Sequence, residues 1–293
     1  MERSQAVIKN LLALKDDEQM LSECRSAHLR EAALLFLRST PDQSADFDLL
    51  RENYEAMRDS LSAANALGAA DRMTLCRHIS DSVGARLSDE GLMSLFLQAE
   101  EGPESPVICY LRNPISDLAY TKFVREKPGA GVLYADSFQA VCENLIGQES
   151  DYAILPIVSG NDGRLSRFEA MISSYGFVIS AVASVTHNPD APPDRFALLS
   201  RSPEIPRKPD AGEILCLKLS VPSSANCAAL ISAAARLGAI LREAETLYQD
   251  SRKSFSFVFE ITNARLAALL TYLTLEEGGF VTNGLYITQK TPD

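Results

Sequence analysis

Few residues in this chain have the types and spacing that chemistry usually requires. Its six cysteines, Cys24, Cys76, Cys109, Cys142, Cys216 and Cys227, show no C-x-x-C spacing, and most lie inside apolar runs. That pattern predicts reduced, buried thiols rather than bridges or zinc ligands. The three histidines, His28, His78 and His187, are isolated from one another, so no His/Cys metal site is expected, and no cofactor. Gly129-Ala130-Gly131 is a lone G-x-G that leads into a strand, and neither a P-loop nor a G-x-S-x-G elbow occurs. Asp48, Arg51 and Glu52 gather charge within about one helical turn. Their plain reading is a first-turn acid facing the helix dipole beside a solvated charge set.

The elements that must position these groups fall into three parts. Residues 1–100 hold only three glycines and no β-rich run, while apolar positions recur every three or four residues, as in Leu29, Ala33, Phe36 and Leu37. This predicts a helical domain. A break follows at Glu100-Glu101-Gly102-Pro103-Glu104-Ser105-Pro106, which can neither continue a helix nor join a sheet. Over 107–202, short β-branched and aromatic runs alternate with helical patterns: Val107 to Leu111, Gly131 to Ala135, Tyr152 to Ile157, Phe177 to Val185 and Arg195 to Ser200. These predict an α/β unit. A proline-rich break from Ser202 to Gly212 precedes a last segment, 212–290, that reads strand, helix, strand, strand, helix, strand, with Phe255, Phe257, Phe259 and Ile261 on one face of its third strand. The order predicts a ferredoxin-like βαββαβ sandwich. The fold class is thus multidomain, α and α/β.

The most informative stretch runs from Ser137-Phe138 through Val141 and Gly147 to Asp151-Tyr152-Ala153-Ile154-Leu155-Pro156-Ile157, an amphipathic helix feeding a buried strand that ends at a proline. It resembles prephenate dehydratase, whose first lobe carries D-Y-[AG]-V-[VL]-P-I-E-N-S. On that resemblance the chain reads as a chorismate-mutase-like domain, a single dehydratase-like lobe, and a regulatory ACT-like tail. Where the family has E-N-S, this chain has Val158-Ser159-Gly160, and the family's glycine-rich opening appears as Leu111-Arg112-Asn113-Pro114-Ile115-Ser116-Asp117. The family's T-R-F, with its catalytic threonine, appears as Asp194-Arg195-Phe196, and only eight residues separate Val185 from Asp194 where the family inserts a second lobe. Expulsion of a leaving group and carbon dioxide from a dicarboxylate needs positioned donors, which an apolar valine does not supply. The departures therefore predict loss of dehydratase activity.

The same resemblance assigns Asp48, Arg51 and Glu52 to the mutase family's D-x-x-R-E, with Lys15 where that family has a first-helix arginine. These would be the catalytic residues of a surviving mutase, which clamps the carboxylates of chorismate. In the tail, the family's effector loop and acidic segment correspond to Ala225, Asn226 and Cys227 and to Glu245. Without the family's glycine the loop brings backbone amides to an amino-acid carboxylate less readily. The expected function is a noncatalytic regulatory or interaction protein related to phenylalanine biosynthesis, with chorismate mutase, an isomerase, as the alternative.

Composition bounds the partners. The chain has 28 basic against 39 acidic residues, net −11, so a nucleic-acid partner is not expected. No run approaches the roughly 18 apolar residues of a membrane span, and residues 1–15 show no leader, which predicts a cytoplasmic protein without a membrane partner. The expected ligand is an aromatic amino acid or a chorismate-derived small molecule. The expected assembly is a homodimer or higher homo-oligomer, because a four-stranded sheet covered on one face leaves edges to be paired.

Overall fold

The computed structural model describes residues 102–186, 192–249, 252–261, 265–276 and 280–289, with isolated positions 19, 20, 23, 74, 77, 78 and 97. Apart from those positions the helical domain expected over 1–100 lies outside the described residues, and so do Lys15, Asp48, Arg51 and Glu52. The elements are β1 (Val107–Leu111), α1 (Pro114–Glu126), β2 (Gly131–Ala135), α2 (Phe138–Ile146), β3 (Tyr152–Ser159), β4 (Gly163–Arg164), α3 (Ser166–Tyr175), β5 (Val178–Val185) and β6 (Asp194–Ser200). They continue with β7 (Glu213–Pro222), α4 (Cys227–Arg236), β8 (Ile240–Gln249), β9 (Arg252–Glu260), α5 (Leu266–Glu276) and β10 (Val281–Gln289).

Local chemistry explains the helix starts. Asn113 caps α1 by accepting from the amides of Ile115 (3.1 Å) and Ser116 (2.9 Å), and Pro114 supplies the preset φ of a first helical residue. Ser137 caps α2 through the Ala140 amide at 3.0 Å, and Gly176, at φ 70°, closes α3. One expectation is corrected: β3 does not end at Pro156 but runs on to Ser159. Its pairing with β1 covers only Tyr152 and Ala153, so the position that lacks an N–H faces no neighbour on that side, and a bulge between Pro156 and Val158 absorbs it against β6.

The strands form one ten-stranded sheet in the order β2-β1-β3-β6-β5-β10-β7-β9-β8, with β4 paired to β3. The last four strands, antiparallel to one another where they pair, take the order fourth, first, third, second of the βαββαβ segment. The segment is not closed at β10, which pairs in parallel with β5 at Ile287 and Ala181. That seam requires Gly284: its φ is 153°, and a Cβ there would lie 2.4 Å from the Ile179 carbonyl oxygen.

Helices α2 and α3 cover one face of the sheet. Cys109, Leu155, Val141 and Ile172 share a core there with Cys216, Val258 and Tyr286 from beyond the seam. On the other face α1 packs on Ile108, Tyr110, Ile154 and Leu198, while α4 and α5 pack on Leu217, Leu219, Phe257, Phe259 and Ile261. Leu97 also enters this last cluster. Of the cysteines described, Cys109, Cys142 and Cys216 are buried free thiols and Cys227 is half-buried. Burial pushes the Cys142 thiol up to about 11 and the Cys216 thiol up to about 12.

The break expected over Ser202–Gly212 is strapped to the sheet. Glu204 meets Lys127 at 2.5 Å and accepts from the Tyr152 hydroxyl. Arg207 bonds Glu126 at 2.8 and 3.0 Å and Glu213 at 2.8 and 3.0 Å, which ties α1 to the start of β7.

Two outcomes follow from these contacts. Gly284→Ala is expected to destabilise the protein by about 2 kcal/mol, the scale of forcing one extra carbon into a packed site, read from the urea midpoint. Glu213, held below its ordinary value by Arg207, stays charged in the fold to a lower pH than in the unfolded chain. Its contribution is complete above the ordinary carboxylate range, near pH ~4.3, and is lost as pH falls through its lowered native value. Arg207→Met should therefore flatten the loss of stability between about pH 6 and about pH 3, measured by the same denaturation.

Candidate functional site

The segments matched to the dehydratase motifs meet in space. Within β3 and β6, Pro156 lies opposite Phe196 and Val158 opposite Arg195, while β4 brings Arg164 opposite Val158 on the other side. The turn from Ser159 to Gly163 is tightly held: the Gly160 amide donates to Asp194 at 2.8 Å, and the Ser159 hydroxyl donates to Asp162 at 3.1 Å. A Cβ at Gly160 would lie 1.9 Å from the Pro192 carbonyl oxygen, so only glycine lets these two segments approach. The segment that stands for the glycine-rich opening is likewise occupied, with Asn113 capping α1 and Asp117 accepting from the Tyr110 hydroxyl at 2.8 Å. Strands β5 and β6 pair directly with each other from Val178 and Ser200 to Val185 and Asp194.

Beside this rim lies a network of three cations and three carboxylates. The Arg164 guanidinium reaches Glu169 of α3 at 2.9 Å and Glu243 of β8 at 2.9 Å, and also pairs with Glu245. Arg195 approaches Glu243 at 3.6 Å, and Lys218 of β7 approaches Glu169 at 3.7 Å. Lys218 and Glu169 are innermost, with side-chain exposures of 13% and 11%, so their charges depend on each other. Burial lowers the Lys218 ammonium below its ordinary value and the Glu169 carboxylate partly offsets this. In the row behind, the Tyr286 hydroxyl is pushed up by burial. Beyond Glu169 the network opens onto a groove of about 530 Å³ between α3 and β8, lined by Ser166, Ser173, Glu245 and Leu247.

The proposed effector residues divide between the two faces of the sheet. Ala225, Asn226 and Cys227 form a turn whose Ala225 and Cys227 amides bond Pro222 and Ala225 carbonyls, both at 3.0 Å. Asn226 caps α4 through the Ala229 amide at 3.1 Å. Glu245 stands opposite Ser256 on the face away from α4 and α5, in the ionic network. The structure thus brings Glu245 together with Arg195 of the D-R-F segment, through Glu243 and Arg164, and not with Asn226. Arg164, Glu169, Lys218 and Glu243 were not singled out in the sequence. The available signal was Lys218, a lone charge in the apolar run Ile214–Val221. Among the described residues no group of His, Cys, Asp and Glu is placed to hold a metal ion, and no helix is long and apolar enough to cross a membrane.

No protein-family model and no curated protein matches this chain. Among solved structures, a prephenate dehydratase from Streptococcus mutans is similar at 18% identity and a TM-score of 0.49, covering 64% of this chain and 100% of that one. A quorum-quenching acylase, GqqA, is similar at 18% identity and a TM-score of 0.46, over 64% and 96% of the two chains. A prephenate dehydratase from Arthrobacter aurescens, determined in complex with L-Phe, is similar at 15% identity and a TM-score of 0.46, over 61% and 89%. At such scores the reading of this chain rests on its own residues and geometry.

The network sets a stability test. Glu169→Ala leaves Lys218 buried without its nearest carboxylate and should cost about 3 kcal/mol, whereas Lys218→Met removes the buried charge and should be close to neutral. Chemical denaturation of the two variants checks the order.

Proposed function

We propose that this chain is a noncatalytic regulatory or interaction protein, related to prephenate dehydratases and tied to aromatic amino-acid metabolism, in which dehydratase activity has been lost. The observation that carries this reading is the direct pairing of β5 with β6. A dehydratase of the family binds its dicarboxylate between two lobes, and a hairpin at this point of the chain leaves no place for the second lobe. The chemistry agrees. Arg164 and Arg195, the cations nearest the rim, are engaged by Glu169, Glu243 and Glu245, and Asp194 stands where the catalytic threonine would be, accepting from Gly160. A site that must stabilise developing charge needs donors aimed at the substrate, not donors neutralised by internal carboxylates.

The strand order of β7 to β10, with α4 and α5 on one face, supports reading 212–290 as an ACT-like regulatory unit. In this reading Glu245 serves the junction between the lobe and that unit. A surviving chorismate mutase is the second reading, favoured by Asp48-Leu49-Leu50-Arg51-Glu52 in the sequence.

Purified full-length protein given prephenate is expected to form no phenylpyruvate above the uncatalysed rate, followed by the product's ultraviolet absorbance. Formation that is abolished by Arg195→Ala would overturn the proposal. Given chorismate, it is expected to form no prephenate; turnover lost in Arg51→Ala would favour the mutase instead.

A further inference from the structure

Helix α5 has almost no polar side. Its sequence, LAALLTYLTLE, breaks an apolar run only with Thr271, Thr274 and the terminal Glu276, and a helix that is apolar all round is covered by more than one neighbour. Ala268, Leu269, Leu270, Tyr272 and Leu273 are all buried. At about 100° per residue these positions span roughly 200° of the helix, where a single core-facing stripe takes about 100°. Helix α4 packs on β8, at the far edge of the sheet, and against α5. That leaves α5 on the β10 side of its unit, toward α1, which packs on β3 and β5 of the lobe.

Two described residues bring a further neighbour into that gap. Leu97, helical and only 4% exposed, belongs to the cluster formed by α4, α5 and the strands beneath them. Gly102, five residues on, rests on the lobe. A Cβ there would lie 3.0 Å from the Tyr152 hydroxyl and 3.4 Å from the Glu204 carboxylate, where the strap meets Lys127. Five residues reach at most about 17 Å, and the three strand spacings from β3 to β10 total about 14 Å. The chain before Gly102 is thus long enough to cross the β5–β10 seam on the α1 side, with little to spare. Length confines Leu97 to the near edge of its cluster, beside α5 rather than α4.

We propose that residues 92–99, of which Leu97 alone is described, are a docking helix of this same chain, which seats on α5 across the seam from α1 and couples the N-terminal part to the C-terminal unit. In helical register Met93 and Leu97 fall on one face with Phe96 beside them, which supplies the apolar stripe that such a seat needs. The short tether to Gly102 holds this segment at its seat at high effective concentration, which favours it over a second copy as the occupant. The inference uses packing and chain length only, and does not rest on the loss of dehydratase activity.

Hydrogen–deuterium exchange of the full-length parent, Leu97→Ala and Leu97→Asp, read peptide by peptide, tests the seat. Exchange in α5 is expected to quicken by about tenfold or more in Leu97→Asp and by less in Leu97→Ala, while β1, β2 and α2 keep the parent's rates. Unchanged α5 rates in both variants would overturn the proposal. If Leu97→Asp does not fold, Leu97→Ala decides alone: quickening confined to α5 and its neighbours supports the seat, and no quickening there, or equal quickening everywhere, overturns it. The parent is also measured at two widely spaced protein concentrations. Constant protection of α5 supports an occupant from within the chain, and protection that rises with concentration assigns the seat to a second copy and overturns the proposal. Phenylpyruvate formation from prephenate would remove the proposed function and leave these rates as they are.

Discussion

The close approach of β10 to β5 is the constraint on which the rest of the molecule depends. Two segments that each read as a separate unit, 107–202 and 212–290, become one sheet because Gly284 lets the β10 backbone pass against the Ile179 carbonyl. With that seam closed, Cys216, Val258 and Tyr286 from the second segment lie in the same apolar core as Leu155, Ile172 and Phe177 from the first. Helix α3 can then bridge both parts rather than cover one alone. The burial that stabilises each half therefore depends partly on the other, as expected when two amphipathic layers share one interior.

The ionic network is a consequence of this junction. The face of β7, β9 and β8 away from α4 and α5 carries Lys218, Glu243 and Glu245, and α3 with β4 lays Glu169 and Arg164 over it. Charges withdrawn from water in this way need mutual compensation, and six groups of alternating sign supply it. Arg195 of the D-R-F segment is drawn toward Glu243 as well. The same contacts that join the two units engage Arg164, Arg195 and Lys218 with internal carboxylates. The strap from Ser202 to Gly212 adds a second tie on the opposite side of the chain path. There Arg207 links Glu126 of α1 to Glu213 of β7, and Glu204 links to Lys127 and Tyr152.

What the sequence determined by itself is the local structure. Alternation of Phe255, Phe257 and Phe259 marked β9, Ser137 ahead of an apolar helical face marked α2, and prolines and glycines marked the breaks, because periodicity and capping act within a few residues of each other. The eight residues between Val185 and Asp194 likewise left no length of chain for a second lobe at that point. Helix α3 went unmarked, since Leu165 at its start has no side-chain oxygen to accept from the first-turn amides, and the run of β3 beyond Pro156 went unmarked because its tolerance depends on how far β1 pairs along it. Only the tertiary structure decided that Glu245 faces Arg164 rather than the loop at Asn226, and that Lys218 has Glu169 as its partner. Each of these is a choice of sheet face and long-range register. A side chain's face is set by strand pairing across tens of residues, and the pairing here turns on one glycine that local patterning cannot distinguish from any other.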